Sequence, residues 1–151
     1  MSSTTPTTAI TATPPADPVE AAAHFASLLN LETDCADVNQ AFDQAESSGA
    51  PRGAGLDFTL LDVRSPQAFD AAHIAGAINL PQRDIDEAAL SPFAADTTFV
   101  VYCAGPHCNG ADKAALRLAQ LGRPVKKMIG GVTGWLDEGL TLYSPQQGSH
   151  E

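Results

Sequence analysis

Residues 97–129 constrain this chain more than any other stretch. Thr97-Thr98-Phe99-Val100-Val101-Tyr102 is an apolar, β-branched and aromatic run of strand length. Ala111 to Leu121 is an unbroken run of good helix formers whose alanines and leucines fall on one face. Gly122-Arg123 ends it, and Pro124-Val125-Lys126-Lys127-Met128-Ile129 reads as the next strand. Strand, helix and strand in that order make a right-handed crossover, so both strands run parallel in one sheet. Parallel sheets are covered on both faces. The fold class is therefore α/β.

Two further strands are expected upstream, in Asp57–Val63 and Ala77–Leu80. A helix is expected from Pro18, with Asp17 as N-cap and Val19, Ala22, Ala23, Ala26 and Leu29 on one side. A second covers about Ala36–Glu46 with Val38, Ala41, Phe42 and Ala45 on one face, and Ser47–Gly53 follows as a loop. Residues 1–17 are mostly Ser, Thr, Pro and Ala, a composition too polar to offset the entropy of ordering, and are expected to form a flexible tail. Residues 18–143 are then one domain, with 144–151 a short disordered C-terminus.

Length and charge narrow the function classes. At 151 residues there is room for one ordinary domain, and 44% hydrophobic residues suffice for a core. A net charge of −10 gives no general attraction to phosphate backbones or anionic membranes, so neither nucleic acid nor membrane is an expected partner. The N-terminus lacks a basic and then apolar leader, and an odd count of three cysteines (Cys35, Cys103, Cys108) suits a reducing compartment. The expectation is a soluble cytoplasmic protein.

In open α/β sheets, ligands bind beyond the carboxyl ends of the strands. That places the chemistry in Cys103-Ala104-Gly105-Pro106-His107-Cys108-Asn109-Gly110, between strand and helix. Its amides are expected to converge as an anion cradle formed by Ala104, Gly105, His107, Cys108, Asn109 and Gly110. Such a cradle would lower the pKa of Cys103 below its free value of about 8.5 and make it a nucleophile. The plainer alternative makes Cys103 a small buried apolar residue ending a strand.

Three ordered motifs carry a family resemblance. They are Leu60-Leu61-Asp62-Val63-Arg64-Ser65-Pro66 with Phe69 and Ala72-His73-Ile74-Ala75-Gly76-Ala77-Ile78-Asn79-Leu80-Pro81; Val100-Val101-Tyr102-Cys103; and Lys127-Met128-Ile129-Gly130-Gly131-Val132-Thr133-Gly134-Trp135 with Gly139-Leu140. Together, over about residues 30 to 142, they resemble the rhodanese-like domains. The resemblance implies a three-layer fold with a mostly parallel central sheet and helices on both faces. It implies a sulfurtransferase in which Cys103 carries sulfane sulfur from a small anionic donor to a thiol, cyanide or protein acceptor, with no cofactor.

The departures from the family matter. Its loop usually carries Arg or Lys near the far end; no basic residue lies between Cys103 and Asn109 here, which predicts weak use of thiosulfate. The missing loop arginine also opposes a phosphatase or arsenate reductase. Cys108 follows Cys103 with four residues between, resembling a subgroup with a Cys-x4-Cys loop, and is a candidate resolving thiol. Asp62 and Arg64 sit beside the site and are expected to be structural; the family's acid before the aromatic is Ala68 here, which leaves Asp70 as a partner for Arg64. His73 reads as a scaffold histidine and Trp135 as a core anchor. Lys113, Arg117, Arg123, Lys126 and Lys127 crowd five of eight basic residues into fifteen positions. They are either a solvated face or a local positive potential for anionic donors, with Lys113 the nearest to the loop. A zinc site on Cys103, His107 and Cys108 lacks a fourth ligand placed by any motif, so no metal is expected. Other readings are a catalytically weak binding or sensing module that keeps the fold, and a thiol redox protein using Cys103 and Cys108.

Overall fold

The computed structural model describes residues 5–145. The chain divides into two compact units, Met1–Asn30 and Leu31–Glu151. In the first, a single turn, α1 (Ala9–Ala12), is capped by the Thr8 hydroxyl, and α2 runs Pro18–Leu31. Asp17 caps α2 as its sequence predicts, accepting from Val19 N at 3.1 Å. The sequence reading placed α2 inside a domain beginning at residue 18, whereas the division falls at its last turn. Of the expected disordered C-terminus, 146–151 lies outside the described residues.

The second unit is built on a five-stranded, wholly parallel sheet in the order β1-β5-β4-β2-β3. The strands are β1 (Glu32–Thr33), β2 (Thr59–Asp62), β3 (Ile78–Asn79), β4 (Phe99–Tyr102) and β5 (Val125–Met128). Four fall within the expected runs; β1, two residues long, carries no periodic signal of its own. The helices are α3 (Cys35–Ser47), α4 (Pro66–Ala71), α5 (Glu87–Leu90), α6 (Gly110–Gln120) and α7 (Gly131–Asp137), with a 3-10 turn at Gln82–Asp84.

Strand periodicity of two sorts the core into two layers. Leu61, Phe99 and Val101 face α6, packing on Ala111, Ala114 and Leu118. Leu60, Val100 and Tyr102 face the other way, against Val38 and Phe42 of α3 and Trp135 of α7. Each large apolar side chain fully buried in these layers contributes about 1.5–3 kcal/mol. Helices thus cover both faces of a parallel sheet, the α/β three-layer arrangement expected. Because all strands point one way, the ends of β2, β4 and β5 open on one edge, where Asp62, Cys103 and Gly130 emerge.

Candidate active site

Cys103 follows the last residue of β4 and is 7% exposed; Cys108, five residues on, is exposed. Two strand-end carbonyls fix the loop between them. Val132 N donates to Cys103 O at 3.1 Å and Thr133 N to Ala104 O at 3.0 Å, so the first turn of α7 holds the loop from below. This needs Gly131, whose φ is +57° and whose missing Cβ would overlap Cys103 O. Cys108 N closes the turn on Gly105 O at 3.0 Å.

The thiols meet over Gly110. A Cβ there would lie 2.8 Å from Cys103 Sγ and 3.3 Å from Cys108 Sγ. Gly110 N, at the start of α6, donates to Cys108 Sγ at 3.4 Å. The hydrogen bond from Cys103 is the largest cause of a lowered Cys108 pKa; burial opposes it, while the amides of Gly110 and Ala104 and the charge of Lys113 assist. Burial pushes Cys103 the other way, up to about 11, and its bond with Cys108 adds to the rise. This corrects the expectation that the loop acidifies Cys103. The Gly110 amide serves the exposed Cys108 sulfur, the Ala104 amide serves both, and burial disfavours the Cys103 thiolate. Cys35 is held up at about 11 by burial first and then by the charges of Asp34 and Glu138.

Above the pair lies a cleft of about 670 Å³. It is lined by Cys103, Ala104, Cys108, Asn109 and Gly110 together with Arg64 and Lys113. Gly105 instead packs against Thr133 and faces a smaller cavity of about 220 Å³ behind the loop, and His107 lines neither. Gln82 and Arg83, from the 3-10 turn, also line the cleft and were missed: Gln82-Arg83-Asp84 belongs to no motif, and only the path of the chain after β3 brings it there. Gln82 Oε1 is buried there without a partner.

Asp62 lies behind the cleft, wholly buried. It accepts from Arg64 Nε at 3.0 Å, Arg64 Nη2 at 2.7 Å, Arg64 N at 3.0 Å and Tyr102 Oη at 2.7 Å. Arg64 Nη2 also donates to Ala72 O at 2.7 Å, so its partners are Asp62 and a carbonyl, and Asp70 is not used. Burial, then the Asp62 charge, keeps the Tyr102 hydroxyl protonated, and it accepts from Ile74 N at 3.2 Å. The pair ties β2, β4 and the 72–74 segment together, the structural role expected. His73 is likewise scaffold, with Nδ1 2.8 Å from Phe69 O, and Trp135 is buried with Nε1 donating to Thr141 O.

The basic cluster at 113–127 does not form one patch. Lys127 pairs with Asp112 at 2.9 Å and Glu32 at 3.5 Å, Arg123 donates to Ala94 O and Leu90 O, and Lys126 lines a separate cavity. Only Lys113 among them lines the cleft. Among the described residues, no three His, Cys, Asp or Glu side chains gather as a metal site requires, and no helix is long and apolar enough to cross a membrane.

Comparison with known proteins accords with this geometry. The BH2092 protein of Bacillus halodurans is 32% identical and superposes over 89% of this chain and 100% of its own, with a TM-score of 0.75. A thiosulfate sulfurtransferase of Pseudomonas aeruginosa, 22% identical, shares the fold over 83% of this chain and 21% of its own, with a TM-score of 0.55. An HTH-type transcriptional regulator of Mycobacterium tuberculosis is 37% identical over 91 residues, 60% of this chain; the chain spans 39% of that relative's length. The family model for the Rhodanese-like domain matches residues 40–138, a stretch holding the cysteine loop, the Asp62–Arg64 tie and α7, and the chain belongs to that family.

Proposed function

We propose that this chain is a sulfurtransferase that carries sulfane sulfur on Cys103. The observation that carries the reading is the pair of neighbouring thiols, both beside Gly110, that line a cleft at the carboxyl edge of the sheet. We take the Cys108 thiolate, favoured by the Gly110 amide and the Lys113 charge, as the base of the pair. As Cys103 sulfur attacks the outer sulfur of a persulfide, its proton passes to Cys108, the donor S–S bond breaks, and Cys103-SH plus R-S-SH become Cys103-S-SH plus R-SH. With thiosulfate the leaving group is sulfite. A thiol, cyanide or protein cysteine then takes the outer sulfur and restores Cys103. We also place the chain in the Cys-x4-Cys subgroup, with Cys108 as a resolving thiol. Without an acceptor, its attack on the inner sulfur releases hydrosulfide and leaves a Cys103–Cys108 disulfide, which spares Cys103 from overoxidation.

The test is intact mass after donor treatment, together with cyanide-dependent thiocyanate formation. Cys103→Ser should gain no sulfur and form no thiocyanate. Cys108→Ala should still load sulfur, more slowly at neutral pH, and yield no internal disulfide. Full transfer by Cys103→Ser would overturn the assignment.

A second reading is favoured by the transcriptional regulator that is 37% identical to this chain over 91 residues: a sensing module whose thiol pair reports sulfur or oxidant status. It expects the disulfide or persulfide to form once and persist, without turnover to any acceptor.

A further inference from the structure

The cleft carries a charge that the chain as a whole does not. Three of the eight basic residues line it, Arg64, Arg83 and Lys113, against one of eighteen acidic residues, Asp84. The Asp62 carboxylate cancels Arg64, which leaves Arg83 and Lys113 against Asp84 on the walls of the cleft, inside a chain of net charge −10. Arg64 is engaged by Asp62 from below, at 2.7 Å. Arg83 and Lys113 differ. Both are exposed, and among the described residues neither cationic head makes a hydrogen bond or an ion pair with a carboxylate; Lys113 acts at longer range on the Cys108 sulfur. Arg83 stands on the 3-10 turn and Lys113 on the first turn of α6, two elements that pack together beside the thiols. Arg117 and Lys126 also lack carboxylate partners, but neither lines this cleft.

We propose that Arg83 and Lys113 are a two-point clamp for an anionic group on the leaving half of the sulfur donor, a carboxylate or sulfonate, and that they select anionic donors over neutral ones. The inference rests on the sulfur-transfer reading and deepens it by naming the donor's charge. A guanidinium fork takes two oxygens of such a group while the ammonium acts as a point charge. The cation absent from the loop between Cys103 and Asn109 is thereby supplied from the wall, and thiosulfate binding becomes dependent on Arg83. Asp84, on the same turn, opposes the clamp and limits its strength.

The test compares alkylation of the cysteine pair by anionic iodoacetate and neutral iodoacetamide, located by peptide mapping, in wild type, Arg83→Gln, Lys113→Gln and the charge-matched Lys126→Gln. The expected iodoacetate-to-iodoacetamide rate ratio falls roughly threefold in each clamp variant, the scale of one exposed ion pair, and holds in Lys126→Gln. An unchanged ratio in Arg83→Gln overturns the clamp. So does an equal fall in all three variants, which is a net-charge effect. In sulfur transfer, Arg83→Gln should raise KM for a carboxylate-bearing persulfide more than it lowers kcat; equal losses with anionic and neutral donors overturn the selectivity. The alkylation arm needs no sulfur transfer. A wild-type protein that loads sulfur from no donor overturns the sulfurtransferase reading, while the ratio still decides whether the cleft selects anions.

Discussion

Asp62 has no exposed surface, yet it is a carboxylate inside a core of Leu60, Val100 and Tyr102. It is tolerated because every neighbouring polar group serves it: two guanidinium nitrogens and the backbone N–H of Arg64, and the Tyr102 hydroxyl. The pair is worth little against a well-packed apolar replacement, since burying two charges costs about what their attraction returns. Removing one partner is a different matter. Asp62→Ala leaves the half-buried Arg64 charge unmatched and should cost about 3–5 kcal/mol. Tyr102→Phe strips one bond from Asp62 and orphans Ile74 N, and should cost about 1–3 kcal/mol. Urea unfolding checks both: the midpoint should fall in that order at constant slope. Negligible losses in both variants would show that the tie between β2, β4 and residues 72–74 contributes nothing to the fold.

The elements legible in the sequence were those long enough to show a period. β4, α6 and β5 declared themselves because a strand-length apolar run, an eleven-residue helix and a second strand follow one another within 99–128. Two-residue β1, four-residue α5 and six-residue α4 complete no period, and tertiary packing decides them. The same limit governed the site. The strand-end rule and the glycines located Cys103 and Cys108, but which sulfur the loop amides serve depends on α7, which seizes the carbonyls of Cys103 and Ala104 from below. That dependence is testable through Gly131, the hinge between β5 and α7. Alanine there meets a positive φ, overlaps Cys103 O and comes within 2.9 Å of Gly105 N, so the loop must shift. A displacement of about 1 Å at a reacting atom costs on the order of a hundredfold. Gly131→Ala should therefore lose about that much sulfur loading at Cys103 while its circular dichroism stays that of the wild type. Retained loading would show that α7 does not set the thiol geometry.

At the scale of the whole molecule, the cysteine loop, both core layers and the cleft all belong to the unit Leu31–Glu151. Every described residue from Thr5 to Asp17 is exposed, and α1 buries no side chain. The cap on α1 is the Thr8 hydroxyl, a contact of the segment with itself. A four-residue helix is far below the length at which an isolated helix holds in water, so the segment brings no stability of its own. We propose a domain limit at residue 18: Pro18 is already at the first helical position of α2, where its missing N–H costs nothing. Cutting before Pro18 removes Asp17, whose carboxylate and carbonyl serve the first turn of α2, at a cost of about 1 kcal/mol to that helix end. A chain starting at Ala16 keeps the cap. Deleting residues 1–15 should thus change the unfolding free energy by less than about 0.5 kcal/mol, the range of surface substitutions, and should leave the rate of Cys103 loading unchanged. Thermal unfolding and donor-dependent mass shift measure the two. A loss of several kcal/mol, or of loading, would mean that the N-terminal segment is part of the folded domain, and the limit would move to its first residue.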